Sequence, residues 1–264
     1  MSKKYHVIAG LPRSGSTLLC NLLNQNPKFH ATETSALPRI LTSVKAGWEN
    51  IPENVASNNI NKKEAVLKSI VQGYFEDVDR EVIFDRNRAW ASEPELAKLV
   101  FGEETKIILC VRTLVDILAS FEKLFRKNNS IFDVTDKKSF GDDFDTVEKR
   151  CGVWASNKGP VGSSLEMLQE LILRSHDNLL IVEFDELLSN TQKTLDKIYK
   201  FIGEDSYTHD LENIEQTTAE DDRFHGMLGL HNIQNKINKP VNDSRIILGN
   251  SVFKKYSSGE FWRT

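Results

Sequence analysis

Residues Gly10 to Leu19 read GLPRSGSTLL, so two glycines, one arginine and three hydroxyls fall between Gly10 and Thr17. The spacing G-x-x-x-x-G-S-T suits anion binding. Gly10 and Gly15 permit tight turns and a close backbone approach to a ligand. Unpaired N–H groups at the start of a following helix carry partial positive charge and attract phosphate. Ser14, Ser16 and Thr17 add hydroxyl donors, and Arg13 supplies a fixed charge that can fork onto phosphate or sulfate oxygens. The plainer alternative is a strand–turn–helix with a solvent-facing arginine. The run P-R-S-G-S-T directly after an apolar strand favours the anion site.

The loop lacks one part. A nucleoside-triphosphate loop ends G-K-[ST], where the lysine reaches the terminal phosphates and the hydroxyl holds magnesium. Here Ser16 follows Gly15. Nucleotide kinases also place an acidic residue at the end of a second core strand to hold magnesium. Asp85, after EVIF, is the candidate for that role, so a small-molecule or nucleotide kinase with a variant loop stays open.

These residues need a scaffold that holds a strand, a tight loop and a helix in register. Short runs rich in valine and isoleucine occur at Tyr5–Ala9, Glu81–Phe84, Lys106–Val111 and Leu179–Val182. They alternate with helical patterns: Leu18, Leu19, Leu22 and Leu23 before Asn26-Pro27, then Asn61–Tyr74, Leu114–Phe125 and Thr191–Ile202. That alternation predicts an α/β fold, a P-loop-type parallel sheet flanked by helices. Asn128–Asp145 is polar and acid-rich and reads as a surface loop. From Glu204 onward periodicity fades, and an irregular C-terminal lid carrying His209, His225 and His231 is expected.

At 264 residues the chain is expected to form a single domain spanning 1–264. Its formal net charge of −4 disfavours a general nucleic-acid coat, so any anion-binding surface must be local. No apolar run approaches the ~20 residues of a membrane span. The N-terminal apolar run leads straight into the loop and reads as a core strand, not a signal peptide. Cys20, Cys110 and Cys151 are in no metal-like spacing; Cys20 and Cys110 sit in apolar runs and read as core thiols, and reduced cysteines of a cytoplasmic protein are favoured over a disulfide.

GLPRSGSTLL resembles the 5′-phosphosulfate loop of sulfotransferases that use 3′-phosphoadenosine 5′-phosphosulfate (PAPS). IILCVRTLVDILAS resembles the family's second motif, with Arg112 at a strand end and Ser120 eight residues on. The resemblance implies that both hold the 3′-phosphate that distinguishes PAPS from ATP. An arginine at a strand's carboxyl edge and a helix hydroxyl can converge on one dianion. The motifs are most similar to those of tyrosylprotein sulfotransferases. NPKFHATETSALPRIL resembles their stretch after the first helix, with a one-residue gap. That alignment puts Glu33 on the catalytic base and Arg39 on a substrate-side arginine. VWASNK and VEFDELL resemble further segments, and NKPVN resembles I-K-P-V-N, whose lysine would be Lys239 and contact the nucleotide.

The departures are specific. Phe184 stands where the family has a nucleotide-contacting tyrosine, and Arg86 in FDRNRAW where it has a transition-state lysine. GMLGLHNIQNK replaces a serine-containing stretch. The resemblance implies in-line sulfuryl transfer to an acceptor hydroxyl or amine, without a metal and with PAP as product. In that scheme Glu33 takes the proton while Arg13, Arg86 and the loop N–H groups stabilise charge. A capping or surface role is the alternative for Glu33. His30, His225 and His231 are rival bases, and His225 ranks above His231. Arg88 and Trp90 are candidates to line the acceptor pocket, with Trp90 also a candidate for the core and Trp154 for helix packing. A non-catalytic nucleotide-binding module is the second rival function. Acceptor identity and oligomeric state stay open: a tyrosyl peptide, sugar, lipid or small metabolite all fit.

Overall fold

The computed structural model describes residues 3–57, 60–128, 144–174, 177–225, 227–238 and 243–263. Five strands form one all-parallel sheet: β1 (Lys4–Gly10), β2 (Phe29–Thr34), β3 (Val82–Arg86), β4 (Ile107–Val111) and β5 (Leu179–Glu183). Their order is β2-β3-β1-β4-β5. Side chains alternate across the central strand β1. Val7 and Ala9 enter one core cluster with Ile83 and Leu109, and Ile8 enters another with Phe84 and Ile108. Burial on both faces is why β1, β3 and β4 read as continuous apolar runs.

Helices cover both faces. α1 (Ser16–Leu23) follows the loop, and α2 (Leu37–Trp48), α3 (Pro52–Ser57) and α4 (Ile60–Tyr74) lie between β2 and β3. α5 (Pro94–Phe101) precedes β4, and α6 (Leu114–Lys127) follows it. Thr113 caps α6 by accepting from the Asp116 N–H, which fixes the turn just after Arg112. α7 (Val147–Ala155), α8 (Gly162–Leu173), α9 (Phe184–Ser189), α10 (Thr191–Ile202) and α11 (Ser244–Tyr256) complete the set. Within α11, Gly249 (φ 77°, ψ 160°) breaks the helical backbone.

The expected parallel sheet and its flanking helices are present. β2 was not anticipated: its FHATET pattern is half polar because it is an edge strand. The lid runs without regular structure from 204 to 221, as expected, but α11 lies beyond it. Residues 129–143 of the expected surface loop are outside the described residues, and so is Lys239. Cys20, Cys110 and Cys151 are free and buried. Among the described residues no helix is long and apolar enough to cross a membrane.

Candidate active site

A cavity of about 650 Å³ opens at the carboxyl ends of β1, β3 and β4. Its walls combine the glycine loop, Arg86 to Arg88, Arg112 and the lid. Open parallel sheets bind ligands in this crevice, where the chain crosses from one half of the sheet to the other.

Two glycines are needed for shape. Gly10 has φ 136°, and a Cβ there would lie 2.0 Å from the Cys110 carbonyl oxygen on β4. Gly15 has φ 86°, and a Cβ there would lie 2.5 Å from the Phe184 ring. Arg13 has φ 60°, an unusual conformation for a residue with a side chain and one often kept at binding sites. Gly15, Ser16 and Thr17 line the cavity at the start of α1. Ser14 does not: it is buried and its hydroxyl donates to the Leu11 carbonyl at 2.6 Å, bracing the loop from within. Its expected role as a hydroxyl donor to the ligand is therefore taken up by the turn itself.

Arg13 gathers the neighbouring parts. Its Nε donates to Ser120 Oγ at 3.0 Å, and its Nη1 donates to the Leu230 carbonyl in the lid. Arg112 donates from Nη1 to the Arg13 carbonyl at 3.2 Å and lies 4.3 Å over the Phe184 ring. The Arg112 Nε is buried and makes no hydrogen bond among the described residues. Burial, then the like charge of Arg112, lowers Arg13 to about 10. Two partly desolvated arginines side by side, one with an unused donor, form a site that an anion would relieve. Phe184 explains the missing tyrosine: the ring supports Arg112 without a hydroxyl. Ser120 reaches this cluster through Arg13 and does not itself line the cavity.

Arg86, at the end of β3, ties the loop to the lid. Its Nη1 donates to Thr17 Oγ1 at 3.2 Å, and its Nη2 pairs with Glu220. Glu220 also accepts from the Thr34 N–H and hydroxyl, each at 3.0 Å. His231 lines the cavity beside this pair. Its Nδ1 lies 2.6 Å from Asp222 Oδ1 and 3.4 Å from Glu220 Oε2. Asp222 is itself held by the N–H groups of Gly229 at 2.9 Å and His231 at 3.3 Å. Burial holds His231 below the ordinary histidine value, against the opposing pull of Asp222 and Glu220.

The remaining expected residues are scattered. Glu33 and Arg39 are exposed, and neither lines the cavity. Adjacent strand residues face opposite ways, and on β2 it is Thr34 that meets the cavity. Arg88 does line it, with Nη1 donating to the Pro160 carbonyl at 3.0 Å and to Ser164 Oγ at 3.1 Å. Trp90 is in the core and donates from Nε1 to Asp85 Oδ1 at 2.6 Å. Trp154, read as helix packing, is buried but also meets the cavity edge. For His225 only the backbone is described, in a short 3-10 turn (Asp222–His225). Lys236 and Asn238 line the wall, and Lys239 is outside the described residues.

Asp85 is fully buried and absent from the cavity wall, and burial pushes it up to about 6. It is not placed to hold magnesium for a nucleotide there. Sequence reading passed over Glu220 and Asp222, because Ala219 to Asp222 (AEDD) looks like a solvated charge run. Only the fold of the lid shows that Asp222 is buried and that the Glu220 side chain is largely covered.

Comparison with known proteins places this geometry. The chain superposes on the sulfotransferase domain from the curacin biosynthetic pathway with a TM-score of 0.56 at 15% identity, covering 98% of this chain and 99% of that one. It superposes on retinol dehydratase in complex with androsterone and the inactive cofactor PAP with a TM-score of 0.54 at 10% identity, covering 97% and 79%. No curated protein matches by sequence. Neither these structures nor the family match singles out the tyrosylprotein branch. The family model for the sulfotransferase domain matches residues 3–259, and the chain belongs to that family of sulfuryl-transfer enzymes.

Proposed function

We propose that the chain transfers a sulfuryl group from PAPS to an acceptor hydroxyl or amine, within one domain spanning the sequence. The observation that carries the choice of donor is the Arg13–Arg112 pair with its buried, unused Nε, set beside a loop that lacks the triphosphate lysine. Those cations suit the 3′-phosphate, and the N–H groups and hydroxyls of Gly15 to Thr17 suit the 5′-phosphosulfate. Lys239 remains a candidate nucleotide contact on the resemblance of NKPVN alone.

The chemistry then follows from position. The acceptor oxygen attacks sulfur in line with the bond to the 5′-phosphate oxygen. The new S–O bond forms as that bond breaks, and PAP leaves. Arg86 and the loop stabilise charge on the sulfuryl oxygens and the leaving phosphate. Cavity lining favours His231 over Glu33 as the group that takes the acceptor's proton. Asp222 on Nδ1 orients the ring and stabilises the imidazolium that forms, as in other carboxylate–histidine pairs. The depressed basicity of His231 keeps it neutral near pH 7. Glu33, exposed on β2, is the alternative base that the same experiment separates.

Isotope-labelled PAPS is offered with a panel of alcohols, phenols and amines. Label should move to an acceptor with release of PAP. His231→Gln should slow transfer by about 10²–10⁴-fold while PAP affinity holds. PAP binding without transfer to any class would support a non-catalytic nucleotide module instead.

A further inference from the structure

Two sets of arginines differ in how their charge is met. Arg86 and Arg150 are buried and paired with carboxylates, Glu220 and Glu122 respectively. Arg13, Arg112 and Arg88 front the cavity and have no carboxylate bridge among the described residues. Arg13 and Arg112 are accounted for by the donor. Arg88 is not. It follows β3, whereas Arg112 follows β4, and β1 lies between them. Two strand spacings separate those strands by about 10 Å.

The cavity that Arg88 fronts has an apolar stretch of wall. Pro160, whose carbonyl anchors Nη1, belongs to a wall with Trp154, Val153, Phe144 and Met227. Trp154 packs on Phe144 and Phe121, with ring centroids 6.1 and 5.5 Å away. By exposed area Arg88 is open, because it fronts the cavity. The protein mass around it still lowers its guanidinium, and no acidic neighbour raises it again. Its Nε and Nη2 make no hydrogen bond among the described residues, so one planar edge of the fork is left for a ligand. A planar two-donor edge matches a carboxylate.

We infer that Arg88 grips a carboxylate on the acceptor, and that the acceptor is a hydroxylated acid with an apolar body. The inference rests on the sulfotransferase reading and narrows its acceptor. The apolar wall covers the body of the molecule, Arg88 holds its acid end, and the hydroxyl faces the loop and His231. A sugar would leave this wall without partners, and a neutral sterol or phenol would leave Arg88 uncompensated.

The test uses the full chain loaded with PAP. Two pairs of probes are titrated by calorimetry: omega-hydroxydodecanoate and para-hydroxyphenylpropanoate, each against its own methyl ester. At least one acid should bind about tenfold or more tightly than its ester. Arg88→Gln should erase that preference and leave PAP affinity unchanged. Arg88→Lys keeps the charge without the fork and should retain part of the preference, which guards against a folding defect in the glutamine variant. Equal binding of acid and ester, binding of neither, or a preference that survives in Arg88→Gln overturns the inference. Intact PAP binding in those cases leaves the donor reading standing. Failure of the wild-type chain to bind PAP overturns both.

Discussion

Arg112→Ala probes the donor site most sharply, because its effect should depend on one phosphate. In the unliganded protein Arg112 has a hydrogen bond to the Arg13 carbonyl, a stacked Phe184 ring and an unused Nε. Losing the stack costs about 0.5–1 kcal/mol. Relief of the like charge beside Arg13 offsets part of that, so the variant should keep its stability to within about 1 kcal/mol. With a 3′-phosphate bound, the guanidinium can make two charge-assisted bonds, each contributing about 1.5–3 kcal/mol. The expected loss for PAP is then about 3–6 kcal/mol, or roughly 10²–10⁴-fold in Kd. AMP has no 3′-phosphate and should lose less than about fivefold. Calorimetric titration of both nucleotides against both proteins closes a thermodynamic cycle whose coupling term belongs to the phosphate. A similar factor for PAP and AMP would refute the assignment of Arg112 to the 3′-phosphate.

Two further outcomes follow. Glu33→Gln should leave turnover within a few-fold, whereas the wild-type rate should rise with pH through a value below about 6.5 and then level, as the His231 imidazolium loses its proton. A large loss in Glu33→Gln with a normal His231→Gln would return the base to β2. Asp85 is raised from 3.8 to about 6 in the folded protein, so the native state holds its proton longer than the unfolded chain does. The Asp85 contribution to stability should be full below about pH 4 and be lost as pH rises to about 6, by up to about 3 kcal/mol. Urea unfolding of wild type and Asp85→Asn across that range should show wild type losing stability relative to the variant, and a difference that does not change with pH would contradict the buried carboxylate.

The parts proposed to hold the donor are legible in the sequence because they are local. Gly10 to Thr17 form one turn, and Arg112 is fixed at a strand end by the Thr113 cap one residue later. The strands that carry these parts are apolar on both faces, so their composition marks them. β2 is an edge strand with a polar half, and no periodicity reveals it. The alignment that offered Glu33 says nothing of which way a side chain turns: in a strand neighbours face opposite ways, and Thr34, not Glu33, lines the cavity. Ser14 shows the same limit at smaller scale, since nothing in P-R-S-G-S-T says which hydroxyl braces the turn. Glu220, Asp222 and His231 meet Arg86 from more than a hundred residues away. Their pairing depends on how an irregular lid folds back, held by bonds such as Asn21 Nδ2 to Thr218 Oγ1 at 2.9 Å. Irregular backbone has no sequence period, so nothing in the sequence ranks the histidines there; His231 lines the cavity.

A phosphate loop without its lysine should hold a phosphosulfate donor in place of a triphosphate. Thermal unfolding in the presence of PAP, and separately of ATP with magnesium, tests it directly. A ligand at 100 times its Kd stabilises the native state by about 2.7 kcal/mol, a readily measured rise in Tm. PAP without metal should produce that rise and ATP with magnesium should produce little. A rise with ATP and magnesium alone would contradict the account and point to a nucleotide kinase.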